Sequence, residues 1–137
     1  MVRASYRQSK GKFKFYNMNP KNSLSSPDCV IRAISNATEK TWDETYVGLC
    51  DVGLKLKDVP NSSKVYEKYL KNLGYDKQKQ PRKEDGKKYT VNEFCELHPK
   101  GNYVCKIAKH VTVVKDGFFE DTWDCGSKTV GNFWKIK

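Results

Sequence analysis

Apolar residues recur with a helical period over the first half of the chain and alternate, or run together, over the second. Val30, Ala33, Ile34 and Ala37 fall at i, i+3, i+4, i+7 after Ser26-Pro27, which reads as an N-cap followed by proline at the first helical position; Asp28 is the other candidate cap. Thr41 and Glu44 have capping-box spacing, and Trp42, Tyr46, Leu49, Cys50 and Leu54 form one stripe, so a second helix is expected to about Leu56, closed by Asp58-Val59-Pro60-Asn61. A third runs from Ser62 to Leu73 with Val65, Tyr69, Leu70 and Leu73 inward and Gly74 as its stop. Thr90 and Glu93 repeat the capping box before a short helix through Phe94 and Leu97, ended by Pro99.

From there the pattern changes. Tyr103–Ile107, His110–Val114, Phe118–Trp123 and Val130–Ile136 are rich in β-branched and aromatic residues, and Asp116-Gly117 is a two-residue hairpin signal. Phe13, Phe15 and Tyr16 read as a short edge strand before an Asn-, Ser- and Pro-containing loop from Asn17 to Pro27. Helices first and an antiparallel sheet second predict an α+β domain. At 137 residues the chain is expected to form one domain, residues 1–137.

The hairpin fixes a register that can be read for chemistry. With Asp116 and Gly117 at the turn, Lys115 pairs with Phe118, Thr112 with Asp121 and His110 with Trp123. Asp121 is then the diagonal neighbour of His110 on one sheet face, roughly 7–8 Å away at Cα and within reach of a histidine–carboxylate hydrogen bond. Glu120 and Asp124 point to the other face. Cys29 falls in the first turn of the first helix, where unpaired backbone N–H groups and the positive helix end favour a thiolate and can serve an oxyanion. Cys50 and Cys105 lie inside apolar patterns and read as inert small hydrophobes.

These residues carry a resemblance. Ser-Pro-Asp-Cys29-Val-Ile-Arg32-Ala-Ile resembles the nucleophile helix of papain-like peptidases, and its Cys-x-x-Arg-Ala-Ile is close to that of the ovarian-tumour (OTU) deubiquitinases. Asp121-Thr122-Trp123 is similar to the Asn-Ser-Trp segment that follows the catalytic histidine in papain, and the order Cys, His, Asp agrees. The resemblance implies a compact papain-like fold with N-terminal helices on a C-terminal antiparallel sheet, with Cys29 as nucleophile, His110 as general base and acid, and Asp121 as the group that orients the histidine. The family's upstream oxyanion glutamine has no counterpart. Asn22 is taken as the substitute amide, with Asn19 as the alternative. Arg32, one turn after Asp28, is expected to make a helix-surface ion pair worth a few tenths of a kcal/mol.

Composition and charge narrow the setting. Five cysteines at positions 29, 50, 95, 105 and 125 lack the dense spacing of a disulfide scaffold and are expected to be free thiols. No apolar run approaches the roughly 20 residues of a membrane span and the start lacks a signal-peptide core, so a soluble cytoplasmic protein without membrane contact is expected. Cys95-x-x-His98 with Cys105 and Cys125 matches no zinc module, so neither metal nor other cofactor is expected. The net charge of +10 is concentrated in residues 1–14, which carry five basic groups and no acid, and in 77–88, with six against Glu84 and Asp85. Both are expected to be solvated segments.

The leading function is hydrolysis of an amide, peptide or isopeptide bond in a peptide or protein substrate. Two alternatives remain: acyl transfer to an amine on the same fold, or a basic binding protein docking on nucleic acid or an acidic protein partner through the two basic segments.

Overall fold

A computed structural model describes residues 11–137. The basic stretch 1–14 therefore lies outside the described residues up to position 10. Four helices and a six-stranded sheet make up the described part: β1 (Phe13–Phe15), α1 (Cys29–Thr38), α2 (Trp42–Leu56), α3 (Ser63–Asn72), β2 (Lys77–Gln78), α4 (Val91–Leu97), β3 (Asn102–Ile107), β4 (His110–Lys115), β5 (Phe118–Asp121) and β6 (Phe133–Lys135). This is the expected mixture of helices followed by sheet. The sheet itself is mixed rather than antiparallel throughout, in the order β1-β5-β4-β3-β6-β2, because β1 runs parallel to β5. No helix among the described residues is long and apolar enough to cross a membrane.

The sheet is covered on both faces, which is why β3 and β4 read as continuous apolar runs. Alternate residues point to opposite sides. Val104, Val111, Val113 and Trp134 pack against Val30, Ile34 and Ala37 of α1 and Val65, Tyr66 and Leu70 of α3. Tyr103, Cys105, Ile107, Val114 and Phe119 pack on the other side with Val91, Phe94 and Cys95 of α4 and with Cys125 and Val130. Both capping boxes form as expected, Thr41 with Glu44 and Thr90 with Glu93. The β4–β5 hairpin turns through Asp116 (φ 49°) and Gly117 (φ 82°), both left-handed as a two-residue type I′ turn requires.

Three expectations are corrected. α1 starts at Cys29 with Asp28 as its N-cap, so Ser26 is not the cap and Pro27 is not helical. The Asp28 carboxylate is drawn to Asn19, Arg32 and Trp42 instead of capping the helix, and the chain enters the helix two residues later than the Ser-Pro signal suggested. α2 buries Thr45, Leu49 and Gly53, leaving Tyr46 and Leu54 exposed. Its small residues set that face: a Cβ on Gly48 would meet the Tyr69 ring at 2.5 Å, and one on Gly53 the Asp58 carbonyl oxygen at 2.6 Å. Finally, the polar stretch 77–88 contributes a strand, since Lys77 and Gln78 pair with Trp134 and Phe133 at the sheet edge. Backbone bonding there needs no apolar side chains.

Ile34, fully buried at the centre of α1's inner face, reports on this packing. Ile34→Ala should lower the free energy of unfolding by about 2–5 kcal/mol, measured by urea denaturation; a loss below about 0.5 kcal/mol would mean that α1 is not packed on the sheet as described.

Candidate active site

The site forms where the start of α1 meets the start of β4. Helix geometry leaves the first backbone N–H groups of α1 without intrahelical partners, and Cys29 is the first residue of that turn. β4 begins at His110, directly after the tight Ala108-Lys109 connection that pairs Ile107 with His110. The imidazole is thereby carried to the end of the sheet beside the half-buried Cys29, and the two residues line one cleft.

The register places Asp121 as the sequence suggested. Lys115 pairs with Phe118 and Val113 with Glu120, so Asp121 falls in phase with His110 on one face. Nε2–H of His110 donates to Asp121 Oδ2 at 2.6 Å. With Nε2 committed to the carboxylate, Nδ1 is the ring nitrogen left for the thiol. Glu120 points to the opposite face, where its Oε1 accepts from the Asn36 amide at 2.8 Å. β5 ends at Asp121, so Trp123 does not pair with His110. Its half-exposed indole instead stands edge-on to the imidazole, with centroids 5.0 Å apart and planes at 81°, and shields one side of the histidine–carboxylate bond.

Asp121 is 2% exposed and its charge is held by donors from several directions. Oδ2 also accepts from the Cys125 thiol at 3.8 Å, while Oδ1 accepts from the backbone N–H of Thr122 at 2.7 Å and Trp123 at 3.4 Å and from Arg32 Nη1 at 3.2 Å. Burial opposes the charge, but the bond and charge of His110 and the neighbouring N–H donors hold the carboxyl below its ordinary value. Arg32 does more than the surface pair expected of it. Its Nε donates to Asp28 Oδ1 at 2.8 Å while Nη1 reaches Asp121, and its side chain is 12% exposed. Asp28 is secured in turn by the Asn19 amide and the Trp42 indole N–H, both at 2.9 Å to Oδ2. The helix start and the end of β5 are thus tied through one guanidinium.

Electrostatics within the cluster favour a thiolate beside an imidazolium. Burial would raise the Cys29 pKa, but the hydrogen bond and charge of His110, the Val111 backbone N–H and the Arg32 charge bring it below the ordinary thiol value of 9.0. Burial would likewise lower His110, yet its bonds to Asp121, Cys125 and Cys29 raise it well above 6.5. The two shifts belong to the pair rather than to either residue alone.

The amides expected near the oxyanion are placed elsewhere. Asn22 is exposed in a left-handed turn (φ 56°), with its backbone N–H bonded to the Asn19 carbonyl, and it lines neither of the cavities at Cys29. Asn19 is buried, but its amide is spent on Asp28. Cys95 and Cys105 are buried in the α4 core, where burial raises both thiols. His98 stacks among Phe94, Tyr103 and Phe133. Sequence reasoning missed Cys125: its sulfur, a ring nitrogen of His110 and a carboxylate oxygen of Asp121 lie within 4.8 Å of one another. Metal ligation there would require a thiolate and a free Nε2. Burial keeps the Cys125 thiol protonated, and Nε2 is already bonded to Asp121, so the trio is a hydrogen-bonded group.

A cleft of about 230 Å³ opens onto Cys29 and His110. Its lining combines apolar Val30, Tyr66 and Ile107 with Asn61, Ser63, Lys106 and Lys109. No family model, curated protein or solved structure matches the chain.

The environment of Cys29 should make it the fastest thiol to react. At pH about 6, where an unperturbed thiol is almost wholly protonated, sub-stoichiometric iodoacetamide should alkylate Cys29 ahead of Cys50, Cys95, Cys105 and Cys125, and His110→Ala should slow that labelling. Peptide mapping that finds equal rates, or a Cys29 rate indifferent to His110, would remove the activated pair.

Proposed function

We propose that the chain is a compact papain-like cysteine hydrolase that cleaves an amide, peptide or isopeptide bond through a thioester on Cys29. The observation that carries the reading is the grouping at the end of the sheet: the Asp121 carboxylate on Nε2 of His110, and a helix-initial cysteine lining the same cleft as the ring. An imidazole held by a carboxylate, with a cysteine beside it in an open cleft, is the arrangement acyl transfer requires.

In this reading the Cys29 thiolate attacks the substrate carbonyl carbon, and the carbonyl π electrons move to oxygen. The resulting oxyanion is stabilised by unpaired N–H groups of the first turn of α1, the N–H of Cys29 first among them. Imidazolium Nδ1–H then protonates the leaving nitrogen as the C–N bond breaks, leaving a thioester and neutral imidazole. His110 next takes a proton from water as that water attacks the thioester. Collapse of the second tetrahedral intermediate releases a carboxylic acid and returns the thiolate–imidazolium pair. Asp121 holds the ring in the tautomer and orientation that both halves need, and Arg32 fixes Asp121 as a positioning residue.

Activity against a peptide pool, read by mass spectrometry with Cys29→Ala as blank, tests the reading. His110→Ala should abolish turnover, removing the roughly 10²–10⁴-fold that positioned proton transfer contributes. Asp121→Asn should keep part of it, because an amide oxygen can still accept the Nε2 proton. The pH profile of kcat/KM should be a bell. Its acid limb follows Cys29 protonation and lies below 9.0; its alkaline limb follows loss of the imidazolium proton and lies above 6.5. Full activity in His110→Ala, or an acid limb at the ordinary thiol value, would overturn the mechanism.

Asn22→Ala measures any side-chain contribution to the oxyanion site. Loss of an oxyanion donor costs about 10²–10³ in kcat; from the exposed position of Asn22 a smaller effect is expected, and a loss of that full size would show that the loop closes over Cys29 during turnover.

A further inference from the structure

The cleft beside Cys29 has a charge of one sign. Lys106, from β3, and Lys109, from the β3–β4 connection, line it together with the Cys29 and His110 side chains, and no acidic side chain does. Lys106 is only loosely engaged, at 4.0 Å from Glu67, whose other oxygen takes Lys77 at 3.1 Å. Lys109 is exposed and has no ion-pair partner among the described residues. It also occupies a left-handed position (φ 56°), where a side chain is strained and glycine or asparagine would be at ease. This residue sits immediately before His110 and contributes a cation to the cleft lining. The apolar lining residues Val30, Tyr66 and Ile107 lower the local dielectric and strengthen the field of the lysines.

We propose that Lys106 and Lys109 form an anion-recognition subsite that selects acidic peptides, seating an aspartate or glutamate side chain within two positions of the bond presented to Cys29. The peptide substrate rests on the hydrolase reading above; the cationic subsite itself does not. The volume of about 230 Å³ accommodates a side chain of that size next to the nucleophile. An acidic group there would meet two ammonium groups, while its methylene carbons lie against Ile107 and Tyr66. A lysine or arginine at the same position would face like charges with no counter-ion in the cleft.

Two measurements separate the subsite from the chemistry. The first compares the rates at which iodoacetate and iodoacetamide alkylate Cys29, the two reagents differing in charge but carrying the same leaving group. The ratio of anionic to neutral rates should fall about tenfold in Lys106→Gln/Lys109→Gln, fall further in Lys106→Glu/Lys109→Glu, and shrink in wild type when salt is raised to about 0.5 M. Lys87→Gln/Lys88→Gln, which removes the same two charges from the 77–88 segment at residues that do not line the cleft, should leave the ratio unchanged. Both lysines are solvent-accessible, so the variants should keep the wild-type melting temperature. A ratio that stays within about twofold of wild type in the double glutamine variant overturns the subsite.

The second measurement maps Cys29-dependent cuts in a proteome-derived peptide pool. Acidic residues should be enriched within two positions of the new ends, and the double glutamate variant should shift the enrichment to basic ones. Cleavage without acidic enrichment overturns the acidic-peptide proposal and leaves the hydrolase reading standing. A normal reagent ratio with no Cys29-dependent cleavage overturns the hydrolase reading and with it the peptide substrate, while the anion subsite stands on the alkylation rates.

Discussion

A carboxylate buried to 2% exposure has to be held by donors from every side or it will neutralise, and this constraint at Asp121 organises the molecule. The donors come from four places. α1 sends Arg32, β4 sends His110, the residues after β5 send the N–H groups of Thr122 and Trp123, and Cys125 approaches from the loop beyond. Each requires its element to stand at one particular depth and rotation. Charge satisfaction thus sets the relative position of helix and sheet more sharply than the apolar core does, because Val, Ile and Leu contacts tolerate small slides that a 2.6 Å hydrogen bond does not.

Arg32 extends the same constraint backwards along the chain. Its two acceptors are the residue that starts α1 and the residue that ends β5, so one planar guanidinium reads both termini at once. Asn19 and Trp42 hold the far oxygen of Asp28. The loop before α1 and the first residue of α2 are therefore part of the support for the helix-initial Cys29. The position of the thiol depends on residues that never approach it.

How much of this could be read in the sequence follows from the range of each interaction. The capping boxes at Thr41 and Thr90, the Asp116-Gly117 turn and the alternation through β4 and β5 are local rules, and the last two alone put Asp121 in phase with His110. Arg32 looked like a surface pair because i, i+4 spacing shows only Asp28; its second partner is 89 positions away. The buried face of α2 was misassigned because the apolar stripe was scored and the small residues were not, whereas close approach to Tyr69 and Asp58 selects Gly48 and Gly53. β2 escaped notice because an edge strand made of Lys77 and Gln78 has no apolar pattern. Asn22 was chosen by residue type alone, which cannot tell an amide facing the sulfur from one in solvent.

Cys125 is the most instructive omission, since it makes His110 the neighbour of two thiols. Burial acts on both in the same sense, disfavouring the thiolate, and the same imidazole opposes it at both. What separates them is the carboxylate. Cys125 lies on the Asp121 side, where a negative oxygen accepts its S–H and a second negative charge would be repelled, and its pKa is raised. Cys29 lies on the other side, where it meets the imidazolium charge, the Val111 N–H and the Arg32 field without direct contact with Asp121, and its pKa falls. A single histidine therefore stands beside one thiol with a raised pKa and one with a lowered pKa, and the side on which Asp121 lies decides which is which. On this account exchanging the positions of charge, not of sulfur, would move the nucleophile: with Asp121 made neutral, the imidazolium loses its main stabilisation and the contrast between the two thiols narrows.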